Sequence, residues 1–195
     1  GAGYDTRPYR IEKLKGNSNM KVFEVDHPET QSLKKEKIEM IFGGLPDHIV
    51  YVPVDFEMEG IDQKLPGNGY DRSKKTLFLM EGLVMYIPPM AVDEMLSFIV
   101  NNSAKGSEVL FDYFIQSVVD GTSGTEKNMR DFAAQQGEPF LFGIEDGAAE
   151  VFLKERGFSR VQNVTSDDYK NAYFCGANKD RAVCNLLSFV HAVVE

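Results

Sequence analysis

The chain has no tryptophan, two cysteines and three histidines among 195 residues. The cysteines, Cys175 and Cys184, show no CxxC spacing and have no histidine pair nearby. That excludes a disulfide-built scaffold and gives no zinc pattern; unpaired thiols fit a reducing cytoplasm. The histidines, His27, His48 and His191, form no HExxH-type motif, so no metal site is expected. No Ser-His-Asp or Cys-His arrangement is readable, and covalent hydrolase chemistry has no support. No apolar run approaches the ~18 residues of a membrane helix, so no membrane partner is expected. Basic charge is also short. The net charge is −9, and the densest basic run, Lys34-Lys35-Glu36-Lys37, is interrupted by a glutamate. That argues against nucleic-acid binding and reads as a solvated helix face.

What is present is an α/β pattern in a length suited to one domain, 1–195. Short apolar runs at 21–26, 49–55, 76–81, 107–113, 158–165 and 186–194 read as strands. Helical spacing occupies 29–40, with Leu33, Ile38 and Ile41 as its apolar positions, and 88–101, with Val92, Met95, Leu96 and Ile99. Further helices are expected over 127–136, 147–156 and 167–174, and Gly43 and Gly157 stand where helices stop. The continuous run Thr76–Met80 reads as a fully buried parallel strand. Residues 115–145 are less regular and are expected to form much of the substrate side. Strands alternating with helices imply an open, mostly parallel sheet with helices on both faces. In such sheets ligands bind at the carboxyl ends of the strands.

Three strands end in acids: Asp26, Asp55 and Glu81. The chain also opens on Gly1-Ala2-Gly3, a turn whose bare backbone admits a ligand. Thr6 stands where a dinucleotide fingerprint requires its third glycine, which disfavours a nicotinamide-dependent oxidoreductase and suits a cofactor without phosphates. Asp26, 23 residues after Gly3, has the spacing for a ribose diol, because a carboxylate accepts two hydrogen bonds. Glu24 competes for that role, and a plain helix-capping function for Asp26 is the alternative. Asp55 can accept from an exocyclic amine while Phe56 covers an adenine face; a solubilising strand-end acid is the alternative. Glu81 can hold an ammonium group. Tyr86 and Asp112-Tyr113 can line a substrate pocket or simply pack against the sheet.

The segments GAGYDTR, FEVDHP, VPVDF and FLMEGLVMYIPP, in this order and at these intervals, resemble the leucine carboxyl methyltransferase-like family of S-adenosylmethionine-dependent O-methyltransferases. The resemblance spans nearly the whole chain. It implies a class I methyltransferase (Rossmann-like) fold with a reversed last strand, and S-adenosyl-L-methionine as cofactor. It places Gly1, Ala2 and Gly3 at the methionine part, Asp26 on the ribose, Asp55 and Phe56 at the adenine, and Glu81 closing the site. The reaction it implies is methyl transfer to a carboxylate or hydroxyl oxygen of a small-molecule or peptide acceptor. A carboxylate needs no general base; for a hydroxyl, Tyr86, Tyr113 or His191 are the candidates. The family also has a first strand and a helical segment ahead of the glycine turn. The expectation is that they are missing here and that the chain exposes an apolar groove and self-associates. Two alternatives stay open: a truncated, non-catalytic cofactor-binding or interaction protein, and an NAD-dependent oxidoreductase.

Overall fold

The computed structural model describes residues 1–11, 20–122 and 124–195, in two compact units, Gly1–Asp71 and Arg72–Glu195. The first unit begins with the glycine turn and a short helix α1 (Arg7–Arg10), with Pro8 in its first turn, where a missing N–H costs nothing. Strand β1 (Val22–Asp26) leads into α2 (Pro28–Phe42), and β2 (Ile49–Pro53) pairs parallel to β1 with Asp26 opposite Pro53. Pro28 opens α2. Gly43, at φ 77°, closes it with an N–H to Glu39 O at 2.8 Å, a left-handed turn that glycine adopts without strain. A one-turn helix α3 (Ile61–Lys64) and a 3-10 turn (Pro66–Asn68) complete the unit.

Its core joins Tyr9, Ile38 and Ile49 to Val22, Leu45 and Tyr51. The inward face of α2 keeps Ile38 of the three expected positions and loses the other two. Gln31, Lys34 and Ile38 are buried at helical spacing, whereas Leu33 is 51% and Ile41 69% exposed. Lys34, expected on a solvated face, is 3% exposed, because it meets a buried carboxylate on β1.

The second unit holds β3 (Leu77–Met80), a 3-10 turn (Val84–Tyr86), α4 (Pro89–Asn101) and β4 (Glu108–Phe114). Then come α5 (Gln116–Asp120), α6 (Gly124–Gln135), α7 (Ala149–Lys154), β5 (Phe158–Val164), α8 (Ser166–Tyr173) and β6 (Leu187–Val194). The sheet order is β3-β4-β6-β5. β3 runs parallel to β4, and β6 runs antiparallel to both neighbours, the reversed last strand that the resemblance implied. On α4 the expected stripe of Val92, Met95, Leu96 and Ile99 is buried in full. β3 is not buried on both faces: Leu77 is 57% and Leu79 44% exposed, while Met80 is inside. Leu77 and Leu79 share one face of the strand and Phe78 and Met80 the other, so β3 is covered on one face only.

Candidate functional site

The glycine turn lies across the end of β1. The Gly1 and Ala2 nitrogens both donate to Val25 O, at 2.7 and 3.0 Å, and the Gly3 N–H donates to the Asp26 carboxylate at 2.5 Å. Gly3 has φ +43°, and a Cβ there would meet no atom within 4 Å. The backbone is therefore bare at this point, and the turn itself favours glycine. Thr6 is the N-cap residue of α1, and its hydroxyl accepts from Arg10 Nε at 3.1 Å.

Asp26 takes two amides, Gly3 N–H on Oδ2 and His27 N–H on Oδ1 at 2.7 Å. It does not cap α2; His27 does, accepting weakly from Glu29 N–H at 3.4 Å. Two bonds still leave lone pairs on a carboxylate, so Asp26 keeps acceptor capacity. Its carbonyl accepts Val54 N–H at 2.8 Å, which carries the parallel pairing one step past the strands. That step sets Asp55 at the end of β2 as the neighbour of Asp26. Asp55 Oδ1 accepts Glu57 N–H at 3.0 Å, its Oδ2 lies 3.9 Å from His27 Nε2, and Phe56 beside it is half-buried. The first unit thus brings together Gly1–Gly3, Asp26, Asp55 and Phe56 at one strand end. Two carboxylates beside an open backbone turn match the donors of a nucleoside, ribose hydroxyls and an exocyclic amine.

Glu24 is out of the running for the diol. Its side chain is 3% exposed, with Lys34 Nζ at 2.9 Å and the Tyr9 hydroxyl donating at 3.0 Å. Burial pushes the Glu24 carboxyl up, against the pull of Lys34 and Tyr9. The Tyr9 hydroxyl also lies 3.0 Å from that of Tyr51, and burial together with the Glu24 charge drives the Tyr9 phenol far above its ordinary range. Sequence reading missed this cluster. Its one signal was Glu24 itself, an acid facing inward on a strand. An open cavity of about 480 Å³ between Tyr9, Phe42, Leu45, Pro46 and His48 contains none of the strand-end carboxylates.

In the second unit Glu81 follows the last residue of β3 and Asp112 lies inside β4, each one residue past the parallel register pair Met80–Phe111. Asp112 Oδ1 accepts Gly82 N–H at 2.7 Å, which ties the turn after β3 to β4. Burial raises the Asp112 carboxyl. Tyr86 is 37% exposed, and its ring packs on Phe140 at 5.6 Å. Burial first, then the Glu138 and Asp112 charges, push its phenol up, so at neutral pH Tyr86 is a hydrogen-bond donor, not a base. Phe140 also meets Phe114 at 4.7 Å, and Leu141 N–H donates to Met85 O at 2.8 Å. The end of the irregular 115–145 segment therefore packs beside Tyr86. Tyr113 is 1% exposed and donates to Asn163 Oδ1 at 3.0 Å, within the sheet. His191 pairs with Glu108 at 2.7 Å, at the amino end of β4 and away from Asp112. Among the described residues no cluster of metal ligands occurs, and no helix is long and apolar enough to cross a membrane.

Known proteins resemble this chain in sequence and in fold. The leucine carboxyl methyltransferase family model matches residues 1–100. A Bacillus subtilis (strain 168) protein named "Putative S-adenosyl-L-methionine-dependent methyltransferase YktD" is 29% identical over 195 residues, which cover 99% of this chain and 63% of that protein. Among solved structures, PigF with SAH aligns over 98% of this chain and 48% of its own, with a TM-score of 0.56 and 13% identity. A SAM-dependent methyltransferase from Thermotoga maritima aligns over 89% and 73%, with a TM-score of 0.55 and 6% identity. The fold is that of the class I methyltransferases. The chain spans less than two thirds of the length of the curated relatives it matches first, 63% and 55%. With its family model matched over the half that carries the glycine turn, Asp26, Asp55 and Glu81, the chain belongs to the leucine carboxyl methyltransferase family.

Proposed function

We propose that the protein is an S-adenosylmethionine-dependent O-methyltransferase acting on a carboxylate or hydroxyl oxygen of a small-molecule or peptide acceptor. The observation that carries this reading is the Gly3 amide on the Asp26 carboxylate, with Asp55 ending the neighbouring strand. In it, Asp26 accepts from the ribose hydroxyls, Asp55 accepts from the adenine amine, Phe56 covers the base, and Gly1–Gly3 offer backbone to the methionine part. The cofactor contact that the family resemblance gives to Glu81 is part of the same proposal. Tyr86, a protonated phenol, donates to the acceptor and orients it.

Held by these residues, S-adenosylmethionine would supply an electrophilic methyl on a sulfonium, with the neutral thioether S-adenosylhomocysteine as the leaving group. The residues then have two tasks, positioning and exclusion of water. A carboxylate acceptor is already a nucleophile at neutral pH, which agrees with the absence of a free general base among the tyrosines described above. The family's name supports a carboxylate over a hydroxyl.

Two experiments test the reading. Calorimetric titration with S-adenosylmethionine and with NADH is expected to show binding of the first alone; binding of NADH alone refutes it. Incubation with methyl-labelled cofactor and a panel of carboxylic and hydroxylic acceptors is expected to yield base-labile label, the mark of a methyl ester. Base-stable label moves the acceptor to a hydroxyl. Binding without transfer to any acceptor favours the non-catalytic cofactor-binding alternative.

A further inference from the structure

We propose that Tyr9, Glu24 and Lys34 are positioning residues, which set the Asp26 carboxylate for the ribose of the bound nucleoside. The inference rests on the cofactor reading above. A buried ion pair is a weak source of stability, because desolvating two charges offsets most of their attraction. Both members of this pair are 3% exposed, so its presence asks for another reason.

The connections supply one. Three elements converge on Glu24: α1 through the Tyr9 hydroxyl at 3.0 Å, α2 through Lys34 Nζ at 2.9 Å, and β2 through Tyr51, 3.0 Å from the Tyr9 hydroxyl. Gln31 Nε2 adds a bond to the Glu24 carbonyl at 2.9 Å, and the Lys34 ammonium lies over the Tyr9 ring at 5.4 Å. Asp26 follows Glu24 by two residues, on the same face of the strand. Along the chain, α1 begins four residues after Gly3 and α2 two residues after Asp26. Both helices are fastened to the one buried carboxylate. Freeing either helix lets the turn or the strand end drift, and a shift well under the length of a hydrogen bond is enough to spoil a paired contact to a diol.

The test compares S-adenosylhomocysteine with its 2′-deoxy form by calorimetry, on the full chain, for the wild type and for Tyr9→Phe and Glu24→Gln. Thermal melts run in parallel. The wild type is expected to prefer the ribo form by roughly tenfold or more, the worth of a hydrogen bond to a charged group. In Tyr9→Phe that preference is expected to fall at least threefold toward parity while the protein stays folded. A structural role alone weakens both ligands equally and leaves the ratio in place. An unchanged ratio in the folded variants, or loss of the fold in both, overturns the proposal. Failure of the wild type to bind either ligand, or to distinguish them, overturns the cofactor reading itself, and the inference falls with it.

Discussion

Replacing Lys34 with methionine isolates the buried Glu24 carboxylate, and the outcome can be worked from the structure. Both groups are 3% exposed, so water cannot take over for the lost ammonium. Breaking a buried pair on one side costs about 3–5 kcal/mol when the remaining charge persists. Glu24 has an escape: it can take up a proton. From an ordinary carboxyl value of 4.5, protonation at pH 7 costs about 3.4 kcal/mol, at about 1.4 kcal/mol per pH unit. The loss at pH 7 is therefore expected at about 3 kcal/mol. Its pH dependence has a definite sign. The folded-state pKa of Glu24 in Lys34→Met lies above the unfolded value, so the folded state holds the extra proton. Stability is fully present below about pH 4.5 and is lost as pH rises through the folded-state pKa. Urea denaturation of the wild type and Lys34→Met at pH 5, 6 and 7 checks this. The gap between them is expected to narrow as pH falls, and the double variant Glu24→Leu/Lys34→Met is expected to recover most of the loss. A loss below about 1 kcal/mol that is independent of pH refutes the burial and coupling of this pair.

Asp26→Ala is expected to weaken S-adenosylhomocysteine binding by about 1–3 kcal/mol, the loss of a hydrogen bond to a charged group, read by calorimetry; unchanged affinity rejects the ribose role. Asp112→Asn keeps an acceptor for Gly82 N–H but removes a desolvated charge. Wild-type Asp112 has a folded-state carboxyl pKa above 3.8, so its contribution to stability falls as pH rises through that raised value. The variant is thus expected to gain on the wild type between pH 4 and pH 7 in urea titrations, and a gain in the opposite direction rules out the desolvation argument.

The residues that were legible in the sequence are those whose local pattern suffices. Val92, Met95, Leu96 and Ile99 lie on one face by spacing alone, and all four are buried. The acids at 26, 55 and 81 follow apolar strand runs, and each sits at or just past the end of its strand. The family also followed from short segments in order, because the glycine turn and each strand-end acid sit within their own short stretch of contiguous residues. α2 shows where such reading stops. Periodicity favoured Leu33, Ile38 and Ile41 inward; Ile38 is buried as expected, but Leu33 and Ile41 are exposed and Gln31 and Lys34 are buried instead. A lysine is scored by its own exposed preference, and only a carboxylate ten residues earlier, across a strand-to-helix turn, reverses it.

By itself, then, the sequence determined the alternation of strands and helices, the glycine turn and the acids at the strand ends. Those properties are local: backbone freedom at Gly3, period-2 and period-3.6 burial, and charge at a strand end. Tertiary structure alone decided which carboxylate is available. Glu24 and Asp26 are two residues apart and chemically alike, but Tyr9, Lys34 and Tyr51 close around the first, while the second meets two backbone amides and keeps acceptor capacity. The partners come from three separate elements, and only folding brings Tyr9 and Lys34 onto the two oxygens of one carboxylate, with Tyr51 behind Tyr9.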